Sequence, residues 1–237
     1  MNAQPLKFYA SEAHPCGYLG GETAVSLFAD PQAPMDTRVY SLLIDHGFRR
    51  SGEHVYRPYC PDCQQCVPVR VPVEAFQPNR AQRRCRKRNA DLSLRLVDKH
   101  RDEHFALYRR YIRQRHPGGS MDDPDPARYR AFIDSSWCET LFYEFHLHGE
   151  LVGVAITDRL EQGLSAFYTY FDPELSRQRS LGTLAILWQI EQCRRLGLPW
   201  LYLGYWIAGC AKMRYKIRFQ PLQGLLGECW RELEQAD

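Results

Sequence analysis

The sequence predicts an α+β fold, and observations on its second half support this class. Residues 140–148, 151–159 and 165–171 have the composition of consecutive strands joined by short turns, which is typical of an antiparallel meander. Residues 181–196 then show the apolar spacing of a helix, and residues 199–207 have the composition of an apolar strand. The order of three strands, a helix and a strand therefore predicts a mixed α+β architecture.

The composition is that of an ordinary globular protein, with 44% hydrophobic and 25% charged residues among 237. A chain of this length buries roughly 70–75% of its unfolded-state surface, so it needs neither disulfides nor a metal merely to fold. Its apolar stretches fall far below the ~18 residues of a membrane span, and residues 1–21 lack the hydrophobic core of a signal peptide. The cysteine count is nine, an odd number that favours reduced thiols, so we expect a cytoplasmic protein.

The first part of the chain predicts a short helix followed by two strands. Residues 36–47 have helical apolar spacing between an N-cap aspartate and a glycine. Residues 54–57 and 67–73 have strand composition and flank a cysteine-rich turn. Pro68 and Pro72 lack the amide hydrogen that a central strand requires, so we expect the second strand at a sheet edge.

A basic helix, a strand and a second helix are predicted in the middle of the chain. Asn79 has the position of an N-cap for a helix that runs to about residue 90. Leucines alternate with polar residues at 92–97, which predicts a half-buried strand. Residues 116–126 form the one long loop, a candidate hinge or mobile active-site segment. The apolar stripe of the second helix consists of His104, Tyr108, Tyr111 and Ile112.

Three segments are strongly basic. The first, Arg80–Arg88, places six basic residues in nine positions without an acidic one. Arginines at 109–115 and alternating cations at 212–218 add two further clusters. Uncompensated charge at this density favours a nucleic-acid partner, with a solvated helix face as the alternative. The candidate nucleic-acid contacts are Arg80, Arg83, Arg84, Arg86, Lys87, Arg88, Lys212 and Lys216.

Cysteines at two-residue spacing form the clearest candidate metal site. Cys60, Cys63 and Cys66 lie in one turn that can direct three thiols at one ion or cluster. Cys16 is the obvious source of a fourth ligand. The spacing is compatible with zinc and with an iron–sulfur cluster, and reduced thiols in a buried turn are the alternative interpretation.

The connection at residues 177–182 lies between a strand and a helix, where backbone amides can hold a phosphate or an oxyanion. It resembles the loop that grips the pyrophosphate of acetyl-coenzyme A in the GNAT acyltransferases, and the order of the flanking strands also matches. Ser180 stands where the first glycine of that loop belongs, which argues against coenzyme A. An ordinary αβ connection is the simpler alternative. The candidate loop residues are Arg179, Ser180, Leu181 and Gly182.

Motifs in both halves of the chain closely resemble the arginyl-tRNA–protein transferase family. They occur in the family's order, and the short chain is most similar to the bacterial branch of aspartate/glutamate leucyltransferases. Similarity at several separate points is far more specific than any single cluster. The segments that carry the resemblance are residues 16–18, 43–52, 56–58, 66–70, 80–88 and 202–216.

The resemblance implies that leucine is transferred from leucyl-tRNA to the N-terminal Asp or Glu of proteins destined for N-end rule degradation. It also implies a GNAT-like domain at residues 91–237 after a cysteine-containing region at residues 1–90. Residues 210–219 fit both a strand and a helix by periodicity, and the resemblance favours the helix. Leu19 replaces a cysteine of many eukaryotic relatives, in which N-terminal cysteines are associated with an iron–sulfur cluster.

Three other functions remain open from the sequence. Arginine could be the donor amino acid, because the residues do not distinguish the two aminoacyl groups. An acetyl-coenzyme A-dependent N-acetyltransferase is a second alternative, against which Ser180 and the density of basic residues argue. The third is a non-catalytic RNA-binding module built on the same fold.

The implied reaction needs no covalent nucleophile and no cofactor, because the amino acid is already activated as an ester of the tRNA. An α-amine attacks the ester carbonyl, so a base and oxyanion donors are required. His116 and Asp172 are the candidate bases, although a surface histidine and an Asp-Pro turn explain them equally well. Arg49, Arg50 and Arg70 are the candidate cations for an acidic acceptor residue, with exposed salt bridges as the alternative.

Overall fold

The computed structural model describes residues 5–115 and 125–234. The described chain forms an eight-stranded sheet, a four-stranded sheet and a two-stranded ribbon, with six α-helices. The elements of its first half are β1 (Phe8–Ala10), β2 (His14–Pro15), β3 (Thr23–Ala24), β4 (Ser26–Ala29), α1 (Thr37–Asp45), β5 (Arg49–Ser51), β6 (His54–Pro58), β7 (Val67–Pro72), α2 (Arg80–Arg88) and β8 (Ser93–Val97).

The second half supplies most of the large sheet and the helices that cover it. Its elements are α3 (Asp102–Arg115), α4 (Pro126–Ile133), β9 (Thr140–Leu147), β10 (Glu150–Arg159), β11 (Gly163–Phe171), α5 (Pro173–Arg179), α6 (Leu181–Arg195), β12 (Trp200–Trp206), a 3₁₀ helix (Arg214–Arg218), β13 (Leu222–Leu226) and β14 (Cys229–Leu233). The predicted mixed α+β class is confirmed.

The large sheet has the strand order β14-β13-β7-β12-β11-β10-β9-β8. β9, β10 and β11 form the predicted antiparallel meander, and every other neighbouring pair is also antiparallel except β11 with β12. The small sheet has the order β1-β4-β6-β5. β7 belongs to the predicted N-terminal region but lies within the large sheet, so residues 1–90 and 91–237 share a sheet. The boundary between them stays a prediction.

The prediction that prolines confine β7 to a sheet edge is wrong. β7 lies between β12 and β13, and it pairs with β12 along its whole length. On the other side it pairs with β13 only at Val69 and Arg70, which lie between Pro68 and Pro72. A strand that contains prolines can therefore lie inside a sheet when the prolines fall outside the few residues that pair with a strand on each side.

The parallel strands β11 and β12 pair over a short stretch and then separate. Their register covers only Gly163–Ser165 against Trp200–Tyr202. Beyond this point each strand carries a bulge against its other neighbour: Phe167 has no partner on β10, and Leu203 has none on β7. Bulges bend the strands that carry them, so β11 and β12 diverge towards their C-terminal ends.

Apolar clusters formed with α3, α4 and α6 cover the large sheet. On α6, the fully buried Leu187 and Ile190 pack in one cluster with strand residues such as Leu201 of β12. α3 and α4 contribute to an aromatic cluster that includes Tyr129 and Tyr170, whose hydroxyl oxygens lie 2.6 Å apart. The predicted stripe of α3 is buried at all four positions. No described helix has the length and apolar character required to cross a bilayer.

Two other local predictions need correction. Residues 92–97 are not half-buried: Leu92 is buried just before β8, whereas Leu94 and Leu96 are exposed because β8 is the last strand of the sheet. Residues 210–219 contain only the five-residue 3₁₀ helix instead of an α-helix. Because such a helix has three residues per turn, it places Lys216 and Phe219 on one side, and both are buried.

Candidate functional site

Arg50, one of the three arginines predicted to bind the acidic acceptor residue, is buried and paired inside the protein. It extends from β5 and donates two hydrogen bonds to the carboxylate of Asp158, from Nε at 2.8 Å and from Nη2 at 2.6 Å. Thr140 completes the group by donating to the same carboxylate. Neither charged side chain is exposed, so Arg50 holds the small sheet to β10 and has no free donor face for a ligand.

Arg70, the second candidate, is also enclosed by partners. Its guanidinium lies over the ring of Trp200 at 3.7 Å and over that of Trp230 at 4.2 Å. Nη1 donates to the carboxylate of Asp45 at 2.9 Å, and Nε donates to the side-chain oxygen of Gln223 at 2.9 Å. This arrangement fixes the position of Arg70 and neutralises its charge.

Arg49, the third candidate, differs because it has an unused donor. Its Nη2 donates to the carbonyl oxygen of Ala166 at 3.0 Å, beyond the last residue of β11 that pairs with β12. Its Nη1 is buried and makes no hydrogen bond to any described residue. Gly204 leaves room for this guanidinium, since a Cβ at that position would lie 3.4 Å from Nε. The backbone φ of +74° also favours glycine there.

Lys216 lies close to Arg49 and is itself buried. Its Nζ donates to the carbonyl oxygen of Tyr205 at 2.5 Å, beyond the last residue of β12 that pairs with β11. Burial and the nearby charge of Arg49 lower the pKa of Lys216 to about 7. Lys216 can therefore gain or lose a proton near neutral pH. The prediction that it contacts tRNA on the surface is wrong, because only 6% of the residue is exposed.

Arg49 and Lys216 together form what we call the cation pair. Within residues 5–115 and 125–234, neither side chain makes a salt bridge with a carboxylate. The phenols of Tyr56 and Tyr205 lie near Arg49, and burial raises the pKa of both, so they remain neutral. The cation pair is thus a buried positive site where β11 and β12 diverge.

The predicted cysteine ligands gather around Cys66. Burial and the charges of the other three candidates, Cys16, Cys60 and Cys63, raise the pKa of the Cys66 thiol to about 12. The amides of Tyr18 and Leu19 point at the sulfur of Cys16, at 3.5 and 3.4 Å. Such amides stabilise a thiolate, so this donor set suits a thiophilic metal. In the described chain, however, the cysteines do not form a group of three potential ligand atoms within 4.8 Å.

Three potential metal-ligand atoms do lie within 4.8 Å of one another elsewhere in the described chain. They belong to Glu103, His104 and Glu144. Glu144 is buried and accepts hydrogen bonds from His104 at 2.7 Å and from His146 at 2.9 Å. Arg101 also donates to it. Burial raises the pKa of Glu144, but these partners outweigh it and bring the pKa below its usual value. The carboxylate is therefore already neutralised by cationic and histidine donors.

The predicted phosphate loop is held against the basic helix. Nη1 and Nη2 of Arg179 donate to the carboxylate of Asp91, at 2.7 and 2.9 Å. Ser180 is in the left-handed conformation between α5 and α6, and Leu181 is buried. At Gly182 a Cβ would lie 3.1 Å from the ring of Phe171. The loop thus packs closely, and its arginine is already paired.

The basic helix α2 presents its charges to solvent. Asn79 and Gln82 form a capping box at its start, and Gln82 and Cys85 form its buried face. Among the residues described, the helix makes one salt bridge, from Arg86 to Glu191 at 4.0 Å. The cations of the exposed face are Arg80, Arg83, Arg84, Lys87 and Arg88, and Lys212 is exposed as well.

Of the two candidate bases, His116 lies outside the described residues. Asp172 caps α5, because its Oδ1 accepts hydrogen bonds from the amides of Glu174 and Leu175 at 3.0 Å each. Arg110 approaches the other carboxylate oxygen at 3.8 Å. Asp172 thus has a structural role that accounts for its position, as the Asp-Pro turn interpretation expected.

The sequence did not identify the cation pair as a unit. Arg49 was singled out only as a member of a family-like motif, and Lys216 only as part of a charged alternation. One signal was available, since Lys216 lies three residues from the apolar Met213 and Phe219, and this spacing places it on their side of a 3₁₀ helix. The divergence of β11 and β12 depends on bulges that periodicity does not show.

Comparisons with known proteins agree with the resemblance. The family model for the arginine-tRNA-protein transferase N terminus matches residues 14–84, and that for the C terminus matches residues 103–226. An aspartate/glutamate leucyltransferase of Pseudomonas paraeruginosa is 50% identical over 228 residues, which cover 95% of this chain and 96% of the relative. That of Teredinibacter turnerae is 49% identical over 234 residues, which cover 97% and 95%.

A solved DUF2156 domain from Agrobacterium fabrum matches with a TM-score of 0.47 and 14% identity, over 61% of this chain and 47% of that one. The match carries no functional weight. The family models, in contrast, cover most of the chain, and the relatives align along nearly its full length. This chain therefore belongs to the arginine-tRNA–protein transferase family.

Proposed function

We propose that this protein transfers leucine from leucyl-tRNA to the N-terminal Asp or Glu of protein substrates and so marks them for N-end rule degradation. The observation that carries the proposal is the 50% identity over 95% of the chain to proteins named aspartate/glutamate leucyltransferase. The cytoplasm is the corresponding location, since aminoacyl-tRNA is made and used there.

The strand arrangement supports a GNAT-like architecture for residues 91–237. An antiparallel meander leads into β11, α6 follows, and β12 pairs with β11 in parallel before the two strands diverge. Where parallel strands diverge, backbone groups other than the carbonyls of Ala166 and Tyr205, which accept from Arg49 and Lys216, can hold the acyl end of a donor. The donor here would be the leucyl ester, because the loop arginine Arg179 is paired with Asp91 and Ser180 replaces a glycine of the coenzyme A loop.

The exposed face of α2 supports binding of the tRNA body. Its cations face solvent without acidic neighbours on the same helix, and phosphate groups can replace the counterions that such a surface attracts. Contacts of this kind position a nucleic acid without reading its bases. The packing of loop 179–182 against α2 places this surface beside the N-terminus of α6.

No cofactor is needed for the chemistry, because the ester is already activated. We propose that Cys16, Cys60, Cys63 and Cys66 hold a zinc ion or an iron–sulfur cluster as a structural or regulatory group. The gathering of these thiols around Cys66 and the amides directed at Cys16 support this. Such a group would link the segment between β2 and β3 to the turn between β6 and β7.

One experiment tests the function directly. The purified protein is incubated with peptides that differ only in beginning with Asp, Glu, Asn or Ala. Separate reactions supply tRNA charged with radiolabelled leucine, tRNA charged with radiolabelled arginine, or radiolabelled acetyl-coenzyme A. We expect label from leucyl-tRNA on the Asp and Glu peptides. Label from arginyl-tRNA would change the donor, and equal label on the Ala peptide would contradict the acceptor. Modification only by acetyl-coenzyme A would replace the proposal with an acetyltransferase.

A further inference from the structure

The three arginines expected to bind an acidic acceptor differ in one respect. Arg50 is paired with Asp158, and Arg70 is paired with Asp45. Arg49 has no carboxylate partner in the described chain, and its Nη1 has no hydrogen-bond partner there at all. Only one of the three candidates therefore has both an uncompensated charge and a free donor.

The environment of Arg49 makes this free donor costly unless an anion uses it. A buried donor without a partner destabilises the folded protein, and a charged one does so more strongly. Lys216, also buried, adds a second cation close by, because its Nζ donates to the carbonyl oxygen of Tyr205, and the adjacent Gly204 lies against the guanidinium of Arg49. Two neighbouring buried cations require a counter-charge, and the nearest phenols are neutral.

We propose that Arg49 and Lys216 bind the side-chain carboxylate of the acceptor's N-terminal Asp or Glu where β11 and β12 diverge. The inference rests on the proposed function, which supplies the acceptor. It excludes Arg50 and Arg70 from this role and makes the cation pair the determinant of acceptor specificity.

The chemistry of the reactants favours the acceptor over other anions. A leucyl group has no negative charge, and the tRNA phosphates have the exposed face of α2 as their partner. The tetrahedral oxyanion is transient, whereas the acceptor carboxylate is charged throughout binding and reaction. A permanent cation such as Arg49, with a planar fork of donors, is the group that suits a permanent carboxylate.

Access to Arg49 requires a movement, because Nη1 is covered in this structure. We therefore expect a side chain that covers Nη1 to move when an acceptor enters.

The test compares peptides that begin with Asp or Asn, which have nearly the same shape but differ in charge. The preference is the ratio of kcat/KM for the two peptides, measured with leucyl-tRNA for wild type, Arg49→Gln, Arg49→Lys and Lys216→Met. We expect Arg49→Gln to lose about 10- to 100-fold of the preference. We expect Arg49→Lys to recover part of the loss, because the charge remains without the fork.

Arg70→Gln is the matched control, since it removes an arginine that the structure pairs internally. Its preference should stay at the wild-type value, and tRNA binding measured by filter retention should stay unchanged in all four variants. Affinity for a fluorescent Asp-initiated peptide without tRNA, measured by anisotropy, should fall for Arg49→Gln and Lys216→Met. Circular dichroism identifies any variant that does not fold. The Asp/Asn preference is then interpreted only for the Arg49 and Lys216 variants that fold.

An unchanged Asp/Asn preference in folded cation-pair variants would overturn the inference and leave the transferase function intact. An equal loss of kcat for both peptides would also overturn it, because the cation pair would then act on the chemical step. Absence of leucyl transfer to every peptide by the wild type would instead contradict the proposed function. The anisotropy measurement would still show whether the carboxylate site exists.

Discussion

Arg50 and Asp158 form a doubly hydrogen-bonded ion pair in which neither side chain is exposed. The guanidinium also lies 4.0 Å from the ring centre of Phe167, the bulged residue of β11. The pair therefore connects β5 of the small sheet with β10 and β11 of the large one. Because Arg49 directly precedes Arg50, this connection also fixes the backbone that presents Arg49.

The first prediction concerns this ion pair. Asp158→Ala should lower the free energy of unfolding by about 3–5 kcal/mol, because it leaves Arg50 charged and buried without its partner. Urea denaturation followed by circular dichroism measures the change. Glu174→Ala is the control, since it removes only exposed contacts, a salt bridge to Arg177 and a hydrogen bond from Gln114, and should change stability by less than about 1 kcal/mol. A similar loss in both variants would contradict the structural role.

The second prediction separates catalysis from capping at Asp172. Asp172→Ala should destabilise the protein by roughly 0.5–2 kcal/mol, because α5 loses its N-cap. Asp172→Ser keeps a capping oxygen and should restore most of this stability. Transfer rates at a temperature where both variants are folded should match the wild type within about twofold. A loss of kcat of more than about 100-fold in Asp172→Ser would instead identify Asp172 as the general base.

The third prediction concerns the exposed face of α2. Reversing Arg83, Arg84 and Lys87 to Glu should weaken tRNA binding and flatten its dependence on salt. The slope of log K against log salt should fall in magnitude by roughly 0.7–0.9 for each phosphate contact removed. These residues lie outside the buried face of the helix, so thermal unfolding should change little.

A charge-matched control distinguishes a local contact from a change in net charge. Reversing Arg38, Lys99 and Arg231, which are exposed elsewhere in the chain, produces the same change in total charge. This variant should keep the wild-type salt slope almost unchanged. If both variants flatten the slope equally, tRNA responds to the overall charge and α2 is not its specific contact.

The fourth prediction concerns the cysteines around Cys66. Protein purified without oxygen should contain about one equivalent of zinc or a cluster with visible charge-transfer absorption, and Cys66→Ser should lose it. Cys229→Ser is the control, because Cys229 is exposed and lies on β14, outside the group around Cys66. Less than about a tenth of an equivalent of zinc or iron in the wild type would contradict the prediction that the four thiols bind a metal.

Periodicity in the sequence was sufficient for the meander β9–β11, the helix α6 and the N-caps Asp36 and Asn79, because each depends on local spacing or a single cap hydrogen bond. It was insufficient for β7 and for the exposure of β8. Those features depend on which strands lie on either side in the folded sheet, and local composition does not contain this information.

In the candidate site, too, the sequence predicts individual residues, whereas their partners depend on the folded structure. The family-like motifs included Arg49, Arg50 and Arg70, but only the folded structure shows which of them has an internal carboxylate. The sequence predicts Lys216 as a nucleic-acid contact because it belongs to the alternating cations at residues 212–218. The 3₁₀ helix turns it inward instead, where its ammonium reaches the carbonyl of Tyr205.

The fifth prediction uses the ionisation of Lys216. Its pKa is lowered to about 7, so it is charged below this pH and becomes neutral above it. The other groups that influence it are the guanidinium of Arg49 and the side chains of Cys66 and Cys210. A carboxylate is held by the charged form, so acceptor binding should weaken as pH rises through 7.

Anisotropy with an Asp-initiated peptide at pH 6 and pH 8 measures this effect. The Kd of the wild type should rise by up to about tenfold over this range, because most Lys216 side chains lose their charge. Lys216→Met removes the titrating group, so its Kd should be higher at pH 6 and nearly independent of pH, apart from the peptide's own α-amine. An Asn-initiated peptide measures that background, since it carries the same amine. If the wild type and Lys216→Met show the same pH dependence, the charge of Lys216 does not contribute to acceptor binding, and Arg49 acts without it.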